Sequence, residues 1–428
     1  MINNLQEAQN CLLCKKPRCQ TNCPINTPIP QVIELYKNGE IEKAGEILFN
    51  NNPLSVICAI VCPHERQCRG NCIRGIKKEP VHFHSIEEEI SAKYLETTKF
   101  EKPESNGIKV AIIGSGPAGL TVAFDLAKRG YDVTIFEKNE RIGGVLAYGI
   151  PEFRLPKAIV QKEVDNLTKL GVDIETNMVI GRVLSVDEIM ERGYKAVFIG
   201  SGAGLPSFMG IEGEALIGVY SANEYLTRAN LMKAYKPEYD TPVIKSKNVA
   251  VVGGGNVAMD AARTALRLGA ENVYIVYRRG MEELPARKEE VEHAEEEGII
   301  FKTLHNPVKL IGDENGRVCK MECIQMELGE ADASGRRRPI PVEGSNFELD
   351  VDTVIMSIGT SPNPLLRTTT EGLEANKWGC LVVNEDTLET TRENVYAGGD
   401  AVTGAATVIL AMGAGKQAAA SIHEKLSK

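Results

Sequence analysis

Beyond about residue 107, short runs of β-branched residues alternate with amphipathic segments. Two strand–helix–strand patterns of this kind occur, the first at 109–113, 118–129 and 132–136, the second at 248–252, 257–268 and 273–277. The segments 109–119 and 248–258 also match each other in pattern, at a constant offset of 139 residues. Because such alternation is typical of βαβ units with a parallel sheet, the chain is predicted to contain two nucleotide-binding units of one design.

The first 100 residues have a different sequence pattern, with several prolines and short helical patterns at 29–35 and 41–48. Eight of the chain's 11 cysteines lie in this segment: Cys11, Cys14, Cys19, Cys23, Cys58, Cys62, Cys68 and Cys72. A polar stretch with Pro103 and Gly107 follows, which is typical of a linker. These features predict a small helical domain folded around metal.

Composition narrows the class of protein. The chain has 428 residues, 43% of them hydrophobic and 25% charged, which is ordinary for a globular protein of several domains. Its net charge of −9 gives no general reason to bind nucleic acid or an anionic membrane. The N-terminus lacks the pattern of a signal peptide, and no uncharged apolar run reaches the roughly 18 residues of a membrane span. We therefore expect a cytoplasmic protein without a membrane span, whose clustered cysteines bind metal or act in redox chemistry.

Basic residues interleave with these cysteines: Lys15, Lys16, Arg18, Arg66, Arg69, Arg74, Lys77 and Lys78. They could form a solvated rim, compensate the charge of anionic thiolate clusters, or provide a docking surface. The sequence leaves these alternatives open.

The first glycine-rich turn, Gly114-x-Gly116-x-x-Gly119, lies directly between a predicted strand and helix. Glycines there allow a tight turn and close approach of a pyrophosphate to the helix N-terminus. Glu137 ends the next strand, where a carboxylate can accept hydrogen bonds from the ribose of an adenine nucleotide. The cofactor contacts predicted around this turn are Gly114, Ser115, Gly116, Pro117, Ala118, Gly119, Glu137 and Lys138.

The second turn, Gly253-x-Gly255-x-x-Ala258, has the same setting. At the end of its second strand, Arg278 and Arg279 stand where a carboxylate is expected. Guanidinium groups bind a 2′-phosphate through charge-assisted hydrogen bonds, so we predict a preference for NADP(H) over NAD(H).

A third feature is a late strand that ends in Ala397-Gly398-Gly399-Asp400, followed by a helix of small residues from 405 to 420. Such a strand can direct a carboxylate at a flavin. Together with the first glycine turn and Glu137, this feature resembles the two-dinucleotide-binding-domain flavoproteins, α/β proteins in which an NADPH domain is inserted in an FAD domain.

The cysteine spacing, C-x2-C-x4-C-x3-C-P at 11–24 and C-x3-C-P-x4-C-x3-C at 58–72, favours iron–sulfur clusters over zinc. With the segments 141–157 and 277–298, the pattern closely resembles the small subunit of NADPH glutamate synthase. It is equally similar to the N-terminal half of dihydropyrimidine dehydrogenase and to the large subunit of bifurcating ferredoxin:NADP oxidoreductase.

The resemblance implies a small α-helical domain with two 4Fe–4S clusters at 1–105, FAD-binding parts at 106–245 and 348–428, and an NADPH domain at 246–347. It implies cluster ligands Cys11, Cys14, Cys19 and Cys72 for one cluster, and Cys23, Cys62, Cys68 and Glu87 for the other. Glu88 and Glu89 remain alternatives to Glu87, and Cys58 is expected to be a buried spectator. For FAD the resemblance implies Gly143, Gly144, Arg154, Gly399, Asp400 and Thr407. For NADPH it implies Gly254, Gly255, Asn256, Val257, Arg278, Arg279, Arg287 and Gly359.

The implied activity is hydride transfer between NADPH and FAD, with single electrons moving through the clusters to or from a partner subunit. No catalytic side chain is predicted, because the cofactors carry the chemistry. The sequence contains no FMN acceptor domain, so a second protein is expected to exchange electrons at the N-terminal domain. The alternatives are an electron-input subunit of the bifurcating or dihydropyrimidine dehydrogenase type, a free-standing NADPH reductase of a small acceptor, and a non-catalytic assembly module. Cys319 and Cys323, spaced C-x3-C, are expected to be structural, as is Cys380.

Overall fold

The computed structural model describes residues 3–243, 245–331 and 335–428. Its α-helices are α1 Asn4–Gln9, α2 Arg18–Thr21, α3 Ile29–Lys37, α4 Ile41–Asn51, α5 Ser55–Val61, α6 Phe83–Thr97, α7 Pro117–Ala127, α8 Val145–Tyr148, α9 Lys157–Lys169, α10 Val186–Glu191, α11 Ala222–Asn230, α12 Asn256–Arg267, α13 Lys288–Glu296, α14 Leu365–Thr369, α15 Asp400–Thr403 and α16 Val408–Leu426. Short 3₁₀ turns lie at His64–Arg66, Ile73–Ile76 and Met281–Glu283.

The strands are β1 Lys109–Ile113, β2 Asp132–Phe136, β3 Asp173–Glu175, β4 Tyr194–Ile199, β5 Leu205–Pro206, β6 Val219–Ser221, β7 Asn248–Val252, β8 Asn272–Tyr277, β9 Ile300–Thr303, β10 His305–Gly312, β11 Val318–Ala331, β12 Arg337–Pro341, β13 Phe347–Asp350, β14 Thr353–Met356, β15 Thr360–Ser361 and β16 Val395–Ala397. The chain divides into two compact units, one formed by residues up to 147, 153–203 and 361–428, the other by 148–152 and 204–360.

In the first unit, helices α1 to α6 form the cysteine-rich segment. Their apolar positions recur at helical spacing, as at Ile29, Val32 and Ile33 of α3, and these side chains pack with Ile86 and Ile90 of α6 in one buried core. Cysteines Cys11, Cys19, Cys68 and Cys72 pack against this core. The helices therefore bring sulfur atoms from distant parts of the sequence to one place.

The rest of the first unit is built on a parallel sheet in the order β16-β4-β1-β2-β3. Helices α7 and α16 pack against each other beside it. Their contact is close because small residues line it: a Cβ added at Gly415 would lie 2.6 Å from the carbonyl oxygen of Ala118. This packing places the late strand β16 and the start of β1–α7 in the same part of the unit.

The cysteine-rich segment packs on α7 and α16 within the first unit. Phe49 of α4 contacts Phe124 of α7 edge-on, with ring centroids 4.8 Å apart. Lys416 of α16 donates a 2.8 Å hydrogen bond to the carbonyl oxygen of Asn51. The sulfur atoms of Cys58 and Met412 lie 3.4 Å apart. The segment is therefore anchored on the two helices that follow the predicted flavin motifs.

The second unit contains another parallel sheet, in the order β6-β14-β7-β8-β9. An antiparallel sheet of β10, β11, β12 and β13 belongs to the same unit. β6 and β14 pair with each other, and this unit includes residues 204–360, whereas the sequence predicts an NADPH domain at 246–347. The cysteine-rich segment belongs to the same compact unit as the sheet β16-β4-β1-β2-β3, whereas the sequence predicts bounds of its own for it at 1–105.

Among the described residues, no single helix has the length and apolar composition needed to cross a membrane. One sharply bent pair, Ile41–Asn51 with Ser55–Val61, meets the length and composition criteria only when the two helices are taken together.

Candidate functional site

The first glycine turn lies between β1 and α7, and its three glycines have different surroundings. A Cβ at Gly114 would lie 2.5 Å from the carbonyl oxygen of Gly200, and one at Gly119 would lie 2.0 Å from that of Gly114. A Cβ at Gly116 would meet no atom within 4 Å. The fold itself therefore excludes side chains at 114 and 119, whereas Gly116 faces open space. Gly116 is also the N-cap of α7 and has no side-chain cap, so the N-terminal amides are available to an anion.

Glu137 is buried beside this turn and holds it in place. Its Oε2 accepts hydrogen bonds from the backbone N–H (3.0 Å) and the hydroxyl (2.5 Å) of Ser115. Its Oε1 accepts one from the N–H of Asn139 at 2.9 Å. The Ser115 hydroxyl in turn accepts from the N–H of Gly143 at 3.1 Å. Because a carboxylate has about four acceptor positions, Glu137 retains capacity for a ribose hydroxyl.

The other residues predicted for FAD lie in the same unit. Gly144 has a φ of +53°, and a Cβ there would lie 2.8 Å from Cα of Gly116. Gly399, with a φ of +65°, would bring a Cβ to 3.2 Å from that of Ala118, so the AGGD strand end meets the first turn of α7. Asp400 Oδ1 accepts from the N–H of Ala406 at 3.2 Å, and burial raises the pKa of this carboxyl.

Three more predicted positions are less closely tied to the turn. Thr407 is the N-cap of α16 and accepts a 3.4 Å hydrogen bond from the N–H of Leu410. Arg154 is half-buried in the turn before α9, and Lys138 is exposed directly after Glu137. Pro117 occupies the first position of α7, where its fixed φ suits a helix start.

The second glycine turn, between β7 and α12, repeats this arrangement. A Cβ at Gly253 would lie 2.2 Å from the carbonyl oxygen of Ser357, and one at Gly254 would lie 2.7 Å from Leu284. A Cβ at Gly255 would meet no atom within 4 Å. Gly255 is the uncapped N-cap of α12, and Val257 in the first turn of that helix is exposed. The two turns thus have the same open position at the same place.

The basic residues near the second turn differ in how far their guanidinium groups are free to bind an anion. Arg278 is exposed at the end of β8 and forms no ion pair within the described part of the chain. Arg279 donates from Nε to the carbonyl oxygen of Arg337 at 2.9 Å. Arg287 is buried: it pairs with Glu289 at 2.6 Å, and its backbone N–H donates to Asn256 Oδ1 at 2.8 Å. Arg278 is therefore the guanidinium best placed to receive a new anion.

Gly359 follows β14 in the second unit. Its φ is +109°, its carbonyl oxygen accepts from the N–H of Ser207 at 3.0 Å, and a Cβ would meet no atom within 4 Å. The position is therefore open, and its contact with NADPH stays a prediction.

The four ligands predicted for one cluster, Cys11, Cys14, Cys19 and Cys72, line one cavity in the cysteine-rich segment, and Cys68 of the other predicted set also reaches it. Burial, together with the charges of Cys72, Cys11 and Cys14, raises the pKa of Cys19 to about 11. Burial also raises the pKa of Cys11. A bound cationic group would favour the deprotonated form of thiols gathered in this way. The donor set fits an iron–sulfur cluster.

The second predicted ligand set also lies together. Burial raises the pKa of Cys68, and the nearby Glu87 and Cys23 raise it further. A hydrogen bond with Cys58 is the main cause of a raised pKa at Cys62, followed by burial and by charges that include Glu87 and Cys68. The three cysteines and Glu87 are thus neighbours.

Glu87 differs from the two glutamates beside it. Its side chain is on the buried face of α6, only 6% exposed, whereas Glu88 and Glu89 are exposed. Burial raises the pKa of Glu87 to about 8, and no described residue donates a hydrogen bond to its carboxyl. A buried carboxyl without a cation is costly, so the position suits a metal ligand. The structure therefore favours Glu87 over its neighbours.

Among the described residues, no three His, Cys, Asp or Glu side chains are arranged to hold one metal ion. The thiols instead surround a cavity, which agrees with the larger span of a cluster. Cys58 is buried beside Met412, and its Sγ lies 3.9 Å from Asn52 Oδ1.

Cys319 and Cys323 both lie on β11, four residues apart. Since a strand rises about 3.3 Å per residue, their Cα atoms are about 13 Å apart, too far for a disulfide. These two residues therefore do not form a redox dithiol.

Sequence reasoning did not assign Arg18 and Arg74 to a site, yet both line the cavity of the first cysteine group. Arg74 donates from Nη2 to Asn10 Oδ1 at 3.0 Å and from Nη1 to the carbonyl oxygen of Glu79. In the sequence, the feature that indicates this role is the interleaving of basic residues with the cysteines. For these two arginines, the geometry agrees with compensation of anionic thiolates.

Comparison with known families agrees with this geometry. Residues 108–418 match the family described as pyridine nucleotide-disulphide oxidoreductase. The chain belongs to this family. Residues 2–99 match the family described as dihydropyrimidine dehydrogenase domain II, 4Fe-4S cluster. The predicted class, a two-dinucleotide-binding-domain α/β fold preceded by a helical iron–sulfur domain, is confirmed.

Relatives of this oxidoreductase include the small chain of NADPH glutamate synthase from Azospirillum brasilense, 36% identical over 98% of this chain and 88% of that protein. The resemblance to glutamate synthase small subunits is therefore confirmed. The β subunit of NADP(+)-dependent formate dehydrogenase from Moorella thermoacetica is 39% identical over 95% of this chain. The chain spans only 60% of the length of that relative.

Among solved structures, FprA of Mycobacterium tuberculosis in complex with NADPH superposes with a TM-score of 0.64 at 20% identity. The match covers 75% of this chain and 85% of FprA, and it shows a common fold.

Proposed function

We propose that the chain transfers hydride between NADPH and FAD and passes single electrons through two 4Fe–4S clusters to or from a partner subunit. The observation that carries this proposal is the packing of the cysteine-rich segment on α7 and α16 in one compact unit. These helices follow the first glycine turn and the AGGD strand end. The residues proposed to bind FAD and the two groups of thiols therefore belong to one compact unit.

When bound, FAD would supply the conversion between a two-electron hydride and single electrons, and the iron–sulfur clusters would supply one-electron carriers. The chain's own residues bind and orient. Gly116 and the amides of α7 would hold the pyrophosphate of FAD, Glu137 the ribose, and Asp400 the flavin side of the site. No side-chain acid or base is needed for hydride transfer.

On the nicotinamide side, Gly255 and the amides of α12 would hold the pyrophosphate of NADPH. Arg278, exposed and without an ion pair to a described residue, would bind the 2′-phosphate. Asn256 and Arg287, joined by a hydrogen bond, would keep the start of α12 and the segment before α13 in register. The preference for NADP(H) thus rests mainly on Arg278.

The two cysteine groups have different neighbours. Cys23 is followed by Pro24, whose carbonyl oxygen would lie 3.4 Å from a Cβ at Gly413 of α16. Cys62 is next to Cys58, which contacts Met412 of α16. The group of Cys23, Cys62, Cys68 and Glu87 therefore lies on the α16 side of the cysteine-rich segment. The group that contains Cys11 and Cys14 is less buried, so electrons would pass between this group and the partner subunit.

Names of the relatives support a partner. The relatives include a small chain of glutamate synthase and a β subunit of formate dehydrogenase. We infer that this chain likewise exchanges electrons with a second protein, and that it works in the cytoplasm, where thiols remain reduced.

Metal and flavin analysis of anaerobically purified protein tests the proposal. About eight iron atoms and one FAD are expected per chain. Cys19→Ala and Cys68→Ala should each disturb one cluster, whereas Cys319→Ala should leave the iron content unchanged. Zinc in place of iron, or no flavin, would contradict the proposal.

A further inference from the structure

Four lysines border the cavity of the first cysteine group. Lys15 and Lys16 follow Cys14, and Lys77 and Lys78 follow the 3₁₀ turn Ile73–Ile76, with their N–H groups donating to the carbonyl oxygen of Arg74. All four side chains are exposed, and none forms an ion pair with a residue in the described ranges. In a chain of net charge −9, this is a local concentration of unpaired positive charge.

These lysines are not needed to neutralise a cluster. Arg18 and Arg74 already line the cavity, and Arg74 is fixed there by its hydrogen bonds to Asn10 and Glu79. The lysines lie outside the cavity and extend into solvent. The exposed acidic residue Glu79 lies next to Lys78, but one carboxylate beside four lysines leaves the net charge of this surface positive.

Two large apolar side chains lie within this basic rim. Leu12, between Cys11 and Cys14, is 60% exposed and also lines the cavity. Ile76, at the end of the 3₁₀ turn, is 69% exposed. Exposed apolar groups surrounded by charge are typical of protein contact surfaces.

We propose that this surface, formed by Leu12, Ile76 and the four lysines and here called the lysine face, docks an electron-carrying protein whose own docking surface is acidic. The inference rests on the proposed function, since it assigns the place where electrons cross to the partner. Opposite charges speed encounter and fix orientation, while an apolar centre excludes water. The thiols directly behind the lysine face belong to the less buried of the two cysteine groups.

Two redox proteins of opposite charge serve as probes: rubredoxin, a small acidic one-electron acceptor, and cytochrome c, a basic one. NADPH-driven reduction of each is measured with the holoprotein at low and high ionic strength. The variants are Lys77→Glu/Lys78→Glu and Lys15→Glu/Lys16→Glu, with iron content checked because the second pair is close to Cys14. The control is Lys99→Glu/Lys195→Glu, which reverses two exposed charges elsewhere in the same unit.

Both lysine-face variants should lose at least about tenfold in kcat/KM for rubredoxin at low salt and gain for cytochrome c. The differences should shrink at about 0.5 M salt because screening shortens the range of the charges. The control should behave as the unmodified protein. Unchanged rubredoxin reduction in the Lys77→Glu/Lys78→Glu variant, or an equal loss in the control, would overturn the inference while leaving flavin reduction by NADPH intact. If NADPH fails to reduce the flavin of the unmodified protein, the proposed function falls, and this inference with it.

Discussion

Gly116 and Gly119 are three residues apart in one turn, yet alanine should act on them in opposite ways. At Gly116 the backbone has a φ of −69°, which any residue adopts, and a Cβ would meet no protein atom within 4 Å. At Gly119 a Cβ would lie 2.0 Å from the carbonyl oxygen of Gly114, well inside the shortest distance that real Cβ atoms show. Alanine at position 116 would therefore occupy the space proposed for the pyrophosphate, whereas alanine at position 119 would force backbone atoms of the turn to move.

Gly116→Ala should therefore leave the stability of the flavin-free protein within about 0.5 kcal/mol of the original. It should weaken FAD binding at least about tenfold, or roughly 1.4 kcal/mol, because its methyl group occupies the approach of the pyrophosphate. Gly119→Ala should cost about 1–3 kcal/mol of stability, since backbone atoms must shift to relieve the clash.

The assay compares unfolding midpoints of the flavin-free proteins with FAD affinity from fluorescence quenching. Full FAD affinity in Gly116→Ala would refute the assignment of this turn to the flavin. Equal losses of stability in both variants would refute the argument from the surroundings of the glycines.

Three further outcomes are expected. Arg278→Ala should weaken NADPH binding about 10- to 100-fold and leave NADH binding unchanged, since a charge-assisted bond contributes about 1.5–3 kcal/mol; an equal loss for both nucleotides in a binding titration would contradict this. Cys58→Ala should keep its iron, whereas Cys62→Ala should lose part of it; iron loss in the Cys58 variant would make that residue a ligand. Glu163, 3% exposed, has its pKa raised to about 8 by burial, so the folded protein should lose stability as the pH rises from about 4.5 to 8. Glu163→Gln should raise the thermal midpoint at pH 8 but not at pH 4, and a similar gain at both would refute the burial argument.

The sequence predicted those structural elements that depend on local sequence patterns. Strands 109–113, 132–136 and 248–252 have the predicted bounds, because β-branched runs and glycine turns are short-range signals. The helix of small residues predicted from 405 is α16, which begins at Val408 because Thr407 caps it.

Pairing between strands that are far apart in the sequence could not be predicted in this way, because no local sequence pattern indicates it. β6 at Val219–Ser221 joins β14 at Thr353–Met356, more than 100 residues later, and nothing local marks either strand as part of the second sheet. The orientation of the basic residues was equally hidden. Only the fold separates Arg74, inside the cavity, from Lys77 and Lys78, which remain exposed.

Anaerobic stopped-flow mixing with NADPH tests the central claim most directly, because flavin and iron–sulfur absorbance are followed in one reaction. The flavin should bleach first and the iron–sulfur absorbance afterwards, with NADH much slower at equal concentration. Flavin bleaching without any reduction of the clusters would contradict an electron path through this chain.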